Sequence, residues 1–468
     1  MRYTFFSQNP TNHFIDIRVE LFENTQEYLE VQLPSWRPGR YELQNFAKNL
    51  REFHAFSGSG ERLPCQKIKK DRWKVQTFGQ QFIRFEYSYY AHEINAGTSY
   101  LDDEICYVNP VNCCIYVEGR QNEPCEVILT AKPNEQLACG LVQKRTGDTI
   151  QLFADNFTHL ADSPWILSST LQKRSYKIQD TEFHVWFEGH FHPNWEKLLP
   201  DFQKFTEEQI RVFGEFPEKD FHFITWITPF PYYHGVEHRN STMMVLGPDS
   251  QNFEQHYWDL LGLSSHELFH AWNICKIRPK ELLPYDFTQE NYFETCFVVE
   301  GVTTYYGDYL LWKSGVMSDE QYKKELETCY RRHFETAKNA RQSLRESSFD
   351  LWLDGYQKGI PDRKVSVYFK GAIAAQILDY QIRKITNNLY SLDDVMRKMW
   401  IQFGKKHVGY TYQDYRRIVC ELIGEEATEA YFSLCIDGIE DIWEETKQML
   451  LEERKWDLQE VNGIVTLT

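Results

Sequence analysis

Two histidines four residues apart, His266 and His270, bracket a glutamate in the stretch DLLGLSSHELFHAWN. This spacing limits what the chain can become more than any other feature. On a helix, residues four apart lie on one face, a turn from each other. Leu260, Leu261, Leu263, Leu268 and Phe269 give the same helix apolar faces, which predicts that it is buried. Two imidazoles and a carboxylate inside an apolar core are costly unless something satisfies them. The bland solution is a pair of hydrogen-bonded core histidines.

The sharper solution is a metal. H-E-x-x-H places two imidazoles where they share one zinc at about 2.0–2.1 Å each. Glu267 then lies beside the metal and can accept a proton from a water attacking a carbonyl. A catalytic zinc takes three protein ligands and keeps one position open, so a third ligand must come from a later element. ENYFETCFVVEGVTTYYGDYLLW offers Glu290, Glu294 and Glu300. Glu300 follows the apolar run CFVV and opens a helical stretch through Tyr309, where a carboxylate needs a partner. Glu290 and Glu294 read as exposed. An imidazole–carboxylate set favours zinc without excluding cobalt or manganese.

The 468 residues exceed what one core organises, which predicts two or three domains. Up to about residue 170, short β-branched and aromatic runs (YLEVQLPSW, FIRFEYSYYAH, CEVILTA) are separated by turn clusters such as SGSGE and RTGD. This reads as a sandwich-like β-module. From about 177, strands alternate with the helical run PNWEKLLPDFQKFTEEQIRVFG, an α+β pattern. Beyond about 310 the chain is mostly helical, with capping boxes expected at SDEQ, SLDD and TYQD.

A formal charge of -17 argues against nucleic acid as a partner. No run of about 18 apolar residues exists, so no membrane span is expected. The start, MRYTFFSQNPTNHF, lacks a basic segment followed by an apolar one, and eleven scattered Cys form no CxxC pair. Both fit a cytoplasmic protein with reduced thiols.

HELFHAWN, IRP, LLPYDF, EN and VVEGVTTYYGDYL together resemble the glycyl aminopeptidase family of gluzincin zinc metallopeptidases. LPSWRPGRYELQNFAKNL resembles that family's N-terminal motif W-x-P-G-x-Y, YYHGVEHRNST its second active-site loop, and VYFKGAIAAQILDYQIR a later helix. The likeness runs from about residue 30 to 440. It implies a multidomain α+β fold: an N-terminal β-sandwich-like domain (1–172), a thermolysin-like catalytic domain (173–312) and a C-terminal helical domain (313–468). It implies His266, His270 and Glu300 as ligands of one zinc per chain and Glu267 as general base. Tyr368 would donate to the developing oxyanion. Glu237 would bind the free amine of peptide substrates, with Gly235 letting the substrate approach; the bland alternative for Glu237 is a loop glutamate paired with Arg239. The implied activity is removal of small N-terminal residues, Gly or Ala, from peptides. A zinc endopeptidase of other specificity and an inactive peptide-binding homologue are the alternatives. The resemblance departs from the family in lacking the usual C-terminal PDZ domain, in CFVVEGV before and after Glu300, and in His-Gly where Gly-Gly is frequent.

Overall fold

In Phe14–Leu21 every second residue, Ile15, Ile17, Val19 and Leu21, is buried. A strand with one face on a core has this pattern. The computed structural model describes residues 1–189, 192–248, 256–337, 339–357 and 359–468. It places this strand in a seven-stranded sheet, between Arg2–Phe6 and Ile83–Tyr90. Two four-stranded sheets built from residues 28–168 share an apolar core with it. The N-terminal region is therefore β-rich, as its turn-punctuated sequence predicts.

A five-stranded sheet follows: β1 (Gln172–Ile178), β2 (Thr181–Glu188), β3 (Asp220–Ile227), β4 (Tyr232–His238) and β5 (Ser241–Gly247). The spatial order is β1-β2-β3-β5-β4, with β2, β3 and β5 parallel and β4 an antiparallel edge strand. Between β2 and β3 the chain forms α1 (Trp195–Phe213), capped by the Asn194 side chain and stopped by Gly214 in the left-handed conformation. Helices α2 (Tyr257–Phe269), α3 (Thr303–Lys313), α4 (Asp319–Phe334) and α5 (Phe369–Ile385) come next. Further helices lead to Trp443–Arg454, and a short hairpin, Leu458–Val461 with Ile464–Leu467, ends the helical region.

One apolar core runs from this sheet through α1–α5 to Leu467. A smaller one joins the two parts of the molecule. Ile105, Tyr107, Ala138 and Ile166 of the β-rich domain pack on Trp186, Ile224, Trp226, Val236, Met243 and Val245 of the five-stranded sheet. The β-rich domain thus closes one face of that sheet, and the helices cover the other. The expected capping boxes form at Ser391 with Asp394 and at Thr411 with Asp414. Ser318 caps α4 through Gln321 N–H.

Candidate active site

Helix α2 buries Leu260, Leu261, Leu263, Leu268 and Phe269, which forces His266 and Glu267 toward the remaining side. The helix stops at Phe269, and His270 follows with helical dihedrals (φ -62, ψ -19), so the two imidazoles still lie a turn apart and meet edge-on. Their Nε2 atoms lie 3.1 Å from each other. Glu300, 3% exposed, reaches in from a π-helical turn, Phe297–Val302, that precedes α3. Its Oε2 is 3.6 Å from His266 Nε2 and 3.4 Å from His270 Nε2. Ligands about 2.0–2.2 Å from a tetrahedral zinc lie about 3.3–3.5 Å from one another, so the spacing of this donor set fits such an ion.

The protonation pattern points the same way. His270 Nδ1 is 2.8 Å from the Asn273 carbonyl, to which only an N–H can bond, so a neutral ring turns its Nε2 lone pair toward the site. Asn273 also ties the ligand elements together: its side-chain amide donates to Val298 O (2.8 Å) and Thr303 Oγ1 (3.0 Å). Without a metal ion, Glu300, Glu237 and Glu267 outweigh the burial of His270 and push it up to about 10, and that imidazolium in turn holds the Glu300 carboxyl, which burial alone would raise, down at about 2. The carboxylate is thus the ionised form that a cation needs.

Among the described residues a second group could hold a metal: His184, Asp220 and His222, on β2 and β3. There the Trp186 indole N–H donates to His222 Nδ1 at 3.1 Å. An indole nitrogen has no lone pair to offer, so the neutral His222 ring carries its proton on Nε2, facing Asp220 at 4.0 Å. Its ligating lone pair is already used, and the Lys173 ammonium lies over the Trp186 ring at 4.8 Å. The candidate metal centre is therefore the His266–His270–Glu300 set.

These three residues open into a cleft of about 690 Å³ that Glu267, Gly235, Glu237 and Tyr368 also line. Burial pushes the Glu267 carboxyl up to about 8; Glu237 and Glu300 add to this and His270 opposes it. A cation on the neighbouring triad would lower it again toward the range of a base working near neutrality. Gly235 on β4 abuts it: a Cβ at 235 would come within 2.8 Å of Glu267 Cδ and of Leu263 Cδ1. Glu237, two residues on and facing the same way, is buried with Oε1 unpartnered. Arg239 does not pair with it; that guanidinium holds Glu218 (2.9 Å) and Asp155 (3.2 Å). Of the other glutamates weighed as ligands, Glu294 pairs with Arg345 at 2.6 Å. Tyr368 stands at the N-terminus of α5. Burial, then Glu300, pushes its pKa well above 10, so the phenol remains a donor.

The loop after the third strand of the chain also reaches the cleft. Trp36 is buried, donates to Asp286 O at 2.7 Å and meets Trp352 edge-on at 5.1 Å. It carries Arg37 and Gly39 to the cleft wall, where Tyr356 joins them. Sequence reasoning placed none of these three at the site. The W-x-P-G-x-Y motif was the available signal, but a motif does not say which surface it faces.

Residues 2–169 match the Peptidase M61 N-terminal domain family and residues 259–374 the M61 glycyl aminopeptidase family. Among solved structures, an aminopeptidase N family protein from Idiomarina loihiensis superposes with a TM-score of 0.89 at 28% identity. The match covers 98% of this chain and 79% of that one. An M1 zinc metallopeptidase from Deinococcus radiodurans, a mutant bound to a Tyr-Ser-Ala substrate, shares the fold with a TM-score of 0.59 at 12% identity over 94% of each chain. No curated protein sequence matches the chain. No helix among the described residues is long and apolar enough to cross a membrane.

Proposed function

The chain belongs to the M61 glycyl aminopeptidase family of metallopeptidases, and we propose on that basis that it removes N-terminal residues from peptides, small ones such as Gly and Ala foremost, with one zinc ion per chain. Glu237 carries the choice of aminopeptidase. It is a buried, unpaired carboxylate one strand repeat from the Gly235–Glu267 contact. A fixed anion there selects a free amine and sets the first peptide bond beside Glu267.

His266, His270 and Glu300 would hold the metal, which would polarise the scissile carbonyl and lower the pKa of water. Glu267 takes a proton from the attacking water and returns it to the leaving amine. The Tyr368 phenol donates to the carbonyl oxygen as negative charge develops on it. Strand β4 pairs on one side only with β5, so its free edge can align an extended peptide alongside Gly235.

The test is hydrolysis of glycyl- and alanyl-p-nitroanilide beside their N-acetylated forms, with and without chelator, in wild type and Glu267→Gln. The proposal expects turnover that needs metal, Glu267 and a free amine. Cleavage of the blocked forms would make the protein an endopeptidase and leave Glu237 without its role. Zinc bound at one per chain with no cleavage at all would leave a peptide-binding homologue.

A further inference from the structure

Arg37 takes no part in the proposed hydrolysis, yet its setting is that of a built site. It occupies the first variable position of W-x-P-G-x-Y, lines the cleft and is 2% exposed. Its guanidinium makes one hydrogen bond, from NH1 to the carbonyl of its neighbour Pro38 at 3.0 Å, and its Nε has no partner. Among the described residues it forms no ion pair. A Cβ on Gly97 would collide with it, so the guanidinium is wedged in place and not free to swing out to water. A buried cation with most of its five N–H donors unspent is costly unless a ligand takes them.

Its neighbours on the wall are donors as well. His234 Nδ1 accepts the Ala96 N–H at 3.2 Å, so the proton of its neutral ring sits on Nε2. The Tyr356 oxygen accepts the Tyr41 N–H at 3.3 Å and keeps its own O–H to give. Arg40, by contrast, is engaged with Glu42 at 2.9 Å and over the Tyr356 ring at 4.3 Å. The acceptor nearby is Glu237, itself buried and unpartnered at Oε1. Two opposite charges thus face one cleft without pairing with each other.

Position fixes which part of a substrate they meet. Along β4, Glu237 lies on one side of Gly235 and Tyr233 on the other. Gly39 belongs to the Glu237 side, since a Cβ there would come within 2.5 Å and 2.8 Å of the two Glu237 oxygens. Arg37, two residues away on the same loop and close enough to Glu237 for the two charges to act on each other, is thereby placed on the side of the residue whose amine Glu237 would take, not of the departing peptide.

We propose that Arg37, with His234 and Tyr356, forms a subsite for the side-chain carboxylate of an N-terminal Asp or Glu, so that acidic first residues are substrates alongside Gly and Ala. The proposal rests on the aminopeptidase reading. The amine would bind Glu237 while the carboxylate takes the guanidinium donors, and one ligand would satisfy both buried charges.

Aspartyl-, asparaginyl-, glycyl- and alanyl-p-nitroanilide are compared in zinc-loaded wild type and Arg37→Gln, and binding of free L-aspartate and L-asparagine is measured by calorimetry. The expected result is an Asp-over-Asn ratio of about tenfold or more in kcat/KM and in affinity, falling toward one in Arg37→Gln whatever loss is common to all substrates. An Asp-over-Asn ratio at or below one in wild type overturns the subsite without needing the variant. A ratio that survives in Arg37→Gln overturns it as well, and an equal loss on all four substrates reduces Arg37 to a positioning partner of Glu237. Glycyl and alanyl turnover with no acidic preference leaves the aminopeptidase reading standing. If nothing is hydrolysed, that reading falls and the aspartate–asparagine binding difference alone decides the subsite.

Discussion

Glu237 and Glu267 sit in the same buried cleft, and burial raises the pKa of both. Glu237→Gln keeps the shape and removes the charge, so only a ligand that needs an anion should notice. The expected outcome is a fall in kcat/KM on free-amine substrates of roughly 10- to 100-fold, the worth of a charge-assisted hydrogen bond, with zinc content by atomic absorption unchanged. Gly235→Ala should act on Glu267 instead, because the new methyl collides with that carboxylate and with Leu263. It should lower kcat on every substrate while zinc content holds. Asp308 makes a different prediction. Burial raises its carboxyl from 3.8 to about 7, Glu325 adding to this and Arg332 opposing. An acid whose folded pKa is raised binds more protons folded than unfolded, so its stabilising contribution is whole below about 3.8 and is lost as pH rises through about 7. Asp308→Asn should flatten that decline in Tm between pH 4 and 8; an unchanged slope would remove Asp308 as its source.

At the scale of elements, the candidate metal centre depends on how closely two helical segments cross. A Cβ on Gly301 would stand 2.6 Å from Gly371 Cα, and one on Gly371 2.8 Å from Gly301 Cα. Glu300 precedes the first glycine and Tyr368 stands three residues before the second, so this crossing sets their separation. Gly371→Ala should cost about 1–3 kcal/mol by overpacking, read as a lower Tm, and should lower kcat by shifting Tyr368 against Glu300. The local sequence shows an apolar helix beginning near Glu300, but not the π-helical turn at Phe297–Val302. That turn leaves the Val298 and Val299 carbonyls for the Asn273 side chain, which donates to both, and such a bond depends on a residue far away in sequence.

The whole molecule brings stretches far apart in the chain to one cleft. Trp36 anchors the loop of the β-rich domain against Asp286 and Trp352. Trp36→Ala should cost about 3–5 kcal/mol and raise KM more than it lowers kcat, since the loop carries the cleft wall but no metal ligand; denaturant unfolding and steady-state kinetics read the two effects. A metal bound only by the folded triad stabilises the whole chain by mass action. Chelation should therefore lower Tm, and added zinc should restore it.

HELFH and the apolar faces around it carried the candidate ligand pair and the burial of its helix, because four-residue spacing on a helix is a local property. The alternation in Phe14–Leu21 and the switch to helical patterning after residue 310 likewise exposed a β-rich start and a helical end. Glu300 was legible as a carboxylate that needed a partner, though not the 3.4 Å and 3.6 Å approach that supplies one. Arg37, Gly39 and Tyr356 were illegible as site residues, since nothing in a loop or a short helix reports what it folds against. Periodicity records which face of an element is apolar, so the elements, their buried sides and the chemistry of the central motif could all be read locally. Which distant segments meet is fixed by long-range packing, and the meeting of an unpaired arginine with an unpaired glutamate in one cleft became visible in the folded chain alone.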